Sequence, residues 1–476
     1  MDSFTYEKQK RVNGASLEAA KLASGTKGKL QALLGTKDRY SEFAWCMLKR
    51  VLLYSAEKVG EIADSICEID EAMKWGFNWK LGPFETWDAL GLEKTVLRME
   101  EEGEQIPQWV KDWLAAGHQA FYKKENNQLF YVEDGQWNKR ETSEKAISLQ
   151  RLKEKQLICT NQGASLIDIG DGVACLEFHS PNNAIGPDIL QMITKSVDIV
   201  ERDFTGLLIA NEGRHFCVGA NLMMLLMEAQ DEEWDEVDHI IQLFQQTMLR
   251  LKRCTKPVVA APHQMTLGGG VEVCLPADKI VAHAETYFGL VEVGVGLIPA
   301  GGGCKEYVLR ISESMPHQEL SMQPLVNDLF ETIGMAKVST SADDAKRLRY
   351  LRQGDHVVIP ENQRIYEAKR AVLKLAESGY KPMKEKKIRV VGREGAAIMK
   401  LGAYQMKLAG AISEHDQLIA TKLAHVLAGG DVKAGSVVSE QYMLDLEREA
   451  FLSLCGEPLT QARMEHMLTK GKPLRN

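Results

Sequence analysis

Two glutamates, Glu272 and Glu292, stand among apolar residues within one segment of the sequence. Leu267 and Val271 lie near the first, and Phe288 lies near the second. A carboxylate in apolar surroundings is costly unless it is paired, hydrogen-bonded or protonated. Two such groups are suited to proton transfer, in which one acts as a base and the other as an acid. The residue types therefore indicate acid–base chemistry.

Three consecutive glycines, Gly268 to Gly270, precede Glu272. They separate a buried strand predicted at 258–261 from a helix whose first turns are predicted at 271–275. Glycine lets the backbone approach a ligand closely, and a helix start leaves N–H groups without carbonyl partners. Such groups can bind a developing negative oxygen, which would place a polarised carbonyl beside the two carboxylates. In the alternative interpretation the glycines form only a tight turn, and either glutamate lies on a helix surface.

The flanking sequence alternates strand and helix patterns, which predicts an α/β fold. The predicted elements are a hairpin of strands 165–170 and 172–178, a helix at 188–203, a buried strand at 206–210, a loop at 213–219, and a helix that starts near 220–222.

The whole chain divides by composition into four predicted parts. Residues 1–140 are predicted to form a mostly helical domain with a small hairpin within 119–138, and residues 141–162 a charged linker. Residues 163–345 are predicted to be the α/β core, followed by a helical region at 346–476.

Bulk composition narrows the class of protein. The chain has 476 residues, 45% hydrophobic and 26% charged, which is typical of a soluble globular protein. A net charge of −8 argues against a general nucleic-acid surface. Nine scattered cysteines without a CxxC pair predict reduced thiols and no metal site. Without an apolar signal or a run long enough for a membrane span, we expect a cytoplasmic protein.

Four short motifs carry a resemblance to a known family. The segments 215–221 (HFCVGAN), 267–272 (LGGGVE), 288–292 (FGLVE) and 296–299 (GLIP) are similar in order and spacing to the crotonase (enoyl-CoA hydratase/isomerase) superfamily. The resemblance implies a spiral of ββα turns and an oxyanion hole made by the backbone N–H groups of Ala220 and Gly269.

The resemblance also implies a reaction, the hydration of a trans-2-enoyl-CoA to a (3S)-3-hydroxyacyl-CoA without a cofactor. Glu272 would act as base on a water, and Glu292 would deliver a proton to the substrate. Family isomerases commonly keep only one of these glutamates, so the presence of both favours hydration. Two departures from the family pattern are Asn221, where many members have Asp, and Ala300, where many have Gly. The residues expected to bind the CoA substrate are Asn183, Ala184, Ile185, Val218, Gly219 and Gly268.

A second resemblance covers residues 42–92, which are similar to the all-α C-terminal domain of 3-hydroxyacyl-CoA dehydrogenases. The order of parts resembles the bifunctional fatty-acid oxidation enzymes of the bacillus type, in which an NAD-binding domain comes first. No GxGxxG motif follows a strand here, so we expect the dehydrogenase active site and its NAD to belong to a missing N-terminal part.

Two alternative functions remain open at the level of sequence. One is double-bond isomerisation of an enoyl-CoA, and the other is a scaffold that docks a dehydrogenase and a thiolase partner. A homo-oligomer is a further expectation from the resemblance.

Overall fold

Apolar residues gather into separate cores on either side of residue 142 in the structure, a computed structural model that describes residues 12–125, 128–140, 145–315, 317 and 320–476. The chain divides into two compact units, Met1–Thr142 and Ser143–Asn476. Within the described ranges no helix is long and apolar enough to cross a bilayer.

The first unit is built mainly from helices around an aromatic core. Phe84, Trp87 and Phe121 are fully buried, and their rings pack edge to face with Phe121 at the centre. Asp88 holds this centre in place, because its carboxylate accepts the N–H groups of Phe121 and Tyr122. The elements are α1 Ala15–Leu22, α2 Gly25–Gly35, α3 Arg39–Glu57, α4 Ile66–Phe77, α5 Pro83–Leu90, α6 Leu92–Glu101, α7 Gln108–Ala115, β1 Tyr122–Glu125, β2 Gln128–Glu133 and β3 Gln136–Lys139.

The expectation of an all-α domain is wrong, because β1, β2 and β3 form an antiparallel sheet. The hairpin predicted within 119–138 is part of this sheet, which gains a third strand. The turn between β2 and β3 explains the difference: Asp134 and Gly135 both have positive φ, as a tight hairpin turn requires. Residues 1–11 of the predicted domain lie outside the described residues.

The second unit contains the remaining elements, which follow in chain order. They are α8 Leu149–Gln156, β4 Leu157–Thr160, β5 Ala164–Asp168, β6 Val173–Phe178, α9 Pro187–Asp203, β7 Gly206–Ala210, α10 Leu222–Gln230, α11 Trp234–Lys252, β8 Val258–Ala260, β9 Gln264–Leu267, α12 Gly269–Cys274, β10 Lys279–His283, β11 Thr286–Gly289, α13 Gly303–Ser314, α14 Gln323–Gly334, α15 Ala342–Arg347, β12 His356–Val358, α16 Arg364–Glu377, β13 Lys387–Arg389, α17 Gly392–Leu408, α18 Glu414–Leu427, β14 Val437–Ser439, α19 Glu440–Cys455 and α20 Pro458–Lys470.

A seven-stranded sheet forms the centre of this unit, in the order β12-β10-β8-β7-β6-β5-β4. The strands from β6 to β12 pair in parallel, whereas β4 and β5 pair antiparallel. The α/β class is therefore confirmed, as are the predicted hairpin of β5 with β6 and the buried strands β7 and β8.

A second, shorter layer runs beside the main sheet. Its members are linked by a bridge from Ile185 to Ala220, a bridge from Cys217 to Thr266, and the parallel pair β9 and β11. After each of the main-sheet strands β6, β7, β8 and β10, the chain forms one of these extended segments and then a helix. This order agrees with the ββα spiral that the resemblance implies.

The structure differs from two of the predicted parts. Of the predicted linker at 141–162, residues 141–144 lie outside the described residues, but most of the rest forms α8 and the edge strand β4. The region at 346–476, predicted to be helical, also contains β12, which extends the main sheet. Apolar residues of this region, such as Leu423 and Leu454, also share one core with residues of the spiral. Composition could not show this, because the contacts join residues far apart in the sequence.

Helix α12 lies unusually close to the segment around Cys217, and a glycine makes this possible. A Cβ added at Gly270 would lie 2.7 Å from Cys217 Cβ and 2.8 Å from its carbonyl oxygen. The carbonyl of Cys217 also accepts the Leu267 N–H at 2.9 Å, which fixes the spacing. Gly270 therefore sets how closely the two segments that flank the predicted site can approach.

We expect Gly270→Ala to destabilise the protein by about 1–3 kcal/mol, because the added methyl group overpacks this contact. Gly294→Ala is the matched control, since a Cβ there would meet nothing within 4 Å. Thermal unfolding followed by circular dichroism measures both variants. Equal melting temperatures for Gly270→Ala and the parent would contradict the packing described here.

Candidate functional site

The backbone amides of Ala220 and Gly269 lie side by side. The N–H of Ile185 donates to Gly219 O at 2.9 Å, and the N–H of Asn221 donates to Ile185 O at 2.8 Å. The Ala220 N–H therefore points away from this bridge. On that side it is close to Gly269, where an added Cβ would lie 3.2 Å from Ala220 N.

Both amides are left without a carbonyl partner in the described part of the chain. Gly269 is the first residue of α12, so its N–H has no carbonyl partner within the helix, whose first hydrogen bonds run from the N–H groups of Val271 and Glu272 to Gly268 O. Asn221 begins α10 as its N-cap and accepts the Met224 N–H. Two free N–H groups next to each other are the geometry that binds an oxyanion.

Glu272 is buried, and only one of its two carboxylate oxygens is occupied. Oε1 accepts the N–H groups of Gly301 at 2.7 Å and Gly303 at 2.9 Å, whereas Oε2 has no hydrogen bond within the described chain. Burial raises the pKa of Glu272 to about 7, while the two N–H groups and the charge of Lys305 lower it. The carboxyl group is thus held near its midpoint at neutral pH, with one oxygen free to take a proton.

Glu292 is the neighbouring carboxyl group. A Cβ added at Gly268 would lie 2.9 Å from Glu292 Oε1, and Glu292 Oε2 is buried without a hydrogen-bond partner in the described structure. Burial, followed by the charge of Glu272, raises the pKa of Glu292 well above its usual value. Interacting carboxyl groups titrate together, so one proton is retained by the pair when the other is lost.

The turn at 301–303 follows Glu292 in the chain and holds Glu272 by hydrogen bonds. This role of the turn was not predicted from the sequence. A Cβ at Gly301 would lie 2.7 Å from Glu272 Oε2, and one at Gly303 would lie 2.9 Å from Glu272 Oε1. The three glycines at 301–303 are a visible signal, but their target could not be read without the fold. Two further residues that contact this turn, Gln245 and Glu447, were also missed.

The residues expected to bind CoA lie on connected loops. Gly219 and Gly268 are adjacent, since a Cβ at Gly268 would lie 3.7 Å from Gly219 Cα. Val218 is half-buried next to them. Ala184 and Ile185 continue from the Ala220 bridge towards Asn183, whose side-chain amide donates to His215 O at 2.9 Å. A cleft of about 450 Å³ opens beside Asn183. Its charged lining is mixed: Arg214 and Lys153 are cationic, Glu177 and Glu212 are acidic, and Lys153 is paired with Glu177 at 3.0 Å.

Two other groups near the site have simpler roles. Burial raises the pKa of the Cys217 thiol to about 12, so it stays protonated and is no nucleophile. Met223 and Met227 are half-exposed on α10, with 50% and 55% of their surface accessible, and so they are not core residues.

Residues 168–323 match the family model described as enoyl-CoA hydratase/isomerase. A Bacillus subtilis protein named as a probable 3-hydroxyacyl-CoA dehydrogenase is 51% identical over 476 residues, which cover all of this chain and 60% of that protein. A Rickettsia felis protein that carries the name of a fatty acid oxidation complex trifunctional enzyme is 28% identical over 307 residues, covering 63% of this chain and 39% of that protein.

A shorter relative, named as a probable enoyl-CoA hydratase of Bacillus subtilis, is 31% identical over 134 residues, which cover 28% of this chain and 51% of that protein. The chain thus spans 60% or less of the length of each of these three relatives. Residues 168–323 are thus similar to the enoyl-CoA hydratase/isomerase family, and the chain as a whole is similar to part of a longer protein named as a dehydrogenase.

Proposed function

We propose that the second unit adds water to a trans-2-enoyl-CoA and forms a (3S)-3-hydroxyacyl-CoA. One observation carries the proposal: two buried carboxyl groups, Glu272 and Glu292, lie beside the two free amides of Ala220 and Gly269. Addition of water across a double bond next to a carbonyl needs a base, an acid and a site for enolate charge, and this arrangement supplies all three.

The two amides act on the thioester carbonyl. As water attacks C3, electron density moves through C2 to the carbonyl oxygen, which gains negative charge. Donors aimed at that oxygen bind the transition state better than the substrate and so raise the rate. Removal of one such donor in other enzymes costs about 2.7–4 kcal/mol, which indicates how much each amide contributes.

The two glutamates divide the proton transfers between them. Ionised Glu272 takes a proton from the water through its free Oε2, while Oε1 stays fixed by Gly301 and Gly303. Glu292, which keeps its proton longer, delivers it to C2. The product has gained a hydroxyl group at C3 and a hydrogen at C2, which together amount to one water. The proton on Glu272 passes to Glu292, so both carboxyl groups return to their starting states.

The CoA portion would lie along the connected loops. The backbone of Val218, Gly219 and Gly268 flanks the thioester, and Asn183, Ala184 and Ile185 lead to the cleft at Arg214 and Lys153, which suits a phosphorylated nucleotide. Arg214 is the cation of this lining that is not paired with the lining carboxylates Glu177 and Glu212 in the ion pairs of the described chain, and the loops add hydrogen-bonding groups. The reaction needs no cofactor.

The longer Bacillus subtilis relative suggests what the whole protein does. Because this chain spans 60% of that relative, we propose that the full-length protein also contains an NAD-dependent 3-hydroxyacyl-CoA dehydrogenase. That enzyme would oxidise the 3-hydroxyacyl-CoA formed here. Isomerisation of the double bond remains the second candidate, since the matched family includes isomerases and one glutamate would suffice for it.

We expect Glu272→Gln and Glu292→Gln each to lower hydration of crotonyl-CoA by about 100-fold to 10,000-fold, because each removes one proton-transfer group. Glu285→Gln, at an exposed glutamate outside the site, is the matched control and should retain parental activity. The loss of enoyl absorbance measures all three variants.

A 3-enoyl-CoA substrate separates the two candidate reactions. Conversion of a 3-enoyl-CoA to a 2-enoyl-CoA that survives in Glu272→Gln, without any hydration by the parent, would favour the isomerase.

We expect hydration to follow a bell-shaped pH profile. Activity should fall below about pH 7 as Glu272, whose pKa is about 7, takes up a proton and can no longer act as base. It should fall again at higher pH, as Glu292 loses the proton it delivers. Initial rates of hydration measured from about pH 5 to about pH 10 test this profile. An acidic limb near the usual glutamate pKa would contradict the burial of Glu272.

A further inference from the structure

Glu447 is a third buried carboxyl group, and no step of the proposed mechanism uses it. It lies on α19, where it is fully buried among apolar residues such as Met443, Leu444 and Ala450. Its Oε2 accepts the Gly302 N–H at 2.9 Å, and its Oε1 accepts the Lys305 N–H at 2.5 Å. Burial of a carboxyl group costs free energy, so the presence of Glu447 at this buried position needs an explanation.

Glu447 and Glu272 hold the same turn from two sides. The N–H groups of Gly301 and Gly303 donate to Glu272, and those of Gly302 and Lys305 donate to Glu447. This turn begins α13, where the first N–H groups have no partner within the helix. The two carboxyl groups therefore take alternate donors of one helix start, and a shift of either would displace the other.

Helix α19 is itself fixed against the same region. Gln245 on α11 donates through Nε2 to Ala300 O at 2.8 Å and to Leu444 O at 2.9 Å, which joins the start of the turn to α19.

Four buried charges also join α11, α13 and α19. Lys252 is 2.7 Å from Glu306 and 2.8 Å from Glu440, and Lys305 contacts both of the same glutamates. Two positive and two negative groups balance, as burial requires. Glu440 and Glu447 are seven residues apart on α19, and so face the same side.

We propose that Glu447 is a positioning residue for the reaction: it holds the 301–305 turn against Glu272 and completes a set of three buried carboxyl groups with Glu272 and Glu292. The inference rests on the proposed hydratase function. It makes α19, which lies far from the family motifs in sequence, a part of the site.

The charged and titratable groups around Glu447 define its electrostatic effect. The groups that interact electrostatically with Glu447 are Glu272, Glu292, Cys304 and Lys305. Of these four, Lys305 is the cation. Burial and then the charge of Glu272 raise the pKa of Glu447 well above its usual value. Glu447 in turn raises the pKa of Glu292. The N–H groups of Gly301 and Gly303 lower the pKa of Glu272, so a turn displaced by the loss of Glu447 should raise that pKa.

The test compares Glu447→Gln with Glu447→Asp and with Glu449→Gln, an exposed control on the same helix. Hydration of crotonyl-CoA is measured across pH, with thermal unfolding of each variant beside it. The Gln side chain of Glu447→Gln offers one acceptor oxygen where Glu447 uses two, so the turn should loosen from Glu272. We therefore expect its acidic limb to move to higher pH and its turnover to fall about tenfold with KM unchanged. In Glu447→Asp both oxygens remain, but turnover falls about tenfold with KM unchanged because the shorter side chain cannot reach both amides.

Each outcome has a distinct meaning. A Glu447→Gln profile whose acidic limb keeps its position or moves to lower pH, together with parental turnover, overturns the inference. If Glu447→Gln does not fold, Glu447→Asp decides: parental turnover overturns the inference, and a fall in turnover with KM unchanged and a parental melting temperature supports it. Glu449→Gln should match the parent in every measurement. A parent chain that does not hydrate crotonyl-CoA at any pH contradicts the proposed function itself, and is thereby separated from a failure of the Glu447 inference.

Discussion

The burial of Glu272 is the constraint on which the rest of the site depends. A carboxyl group in this position must be charged part of the time, yet water cannot reach it freely. The two N–H groups of Gly301 and Gly303 resolve this conflict by binding one oxygen and leaving the other open. Their geometry keeps the pKa near neutrality, in contrast to Glu292, which has an oxygen without a partner and a higher pKa. Two identical side chains thereby acquire different roles.

The fold explains how these groups meet. Each turn of the spiral returns the chain to the short second layer, so residues from three turns lie side by side: Ala220 from one, Gly269 and Glu272 from the next, and Glu292 from the last. Glycines at the crossing points, Gly268 and Gly270 among them, let these backbones approach more closely than any side chain would allow. The C-terminal helices then close the site from outside the spiral through Glu447.

The two glutamates of the candidate site stand out in the sequence because they break the local pattern. Glu272 and Glu292 are charged residues in apolar runs, and three glycines mark the approach of the backbone. The strands β5 to β8 were predicted from their apolar runs in the sequence. Glu447 is also a charged residue on a buried helix face, but its partners are 142 to 145 residues away, and no local pattern encodes that contact.

Two of the predicted parts differ from the structure for the same reason. The C-terminal region was predicted to be helical from its composition, whereas β12 and the shared core join it to the spiral. The charged composition of 141–162 concealed an edge strand, since an edge tolerates polar residues that a central strand does not.

The most direct test of the account is to incubate the parent chain with a trans-2-enoyl-CoA in water labelled with ¹⁸O and to determine the mass of the product. Addition of water assisted by Glu272 and Glu292 predicts a product heavier by one labelled water. A product with the mass of the substrate, or unchanged substrate alone, would contradict it.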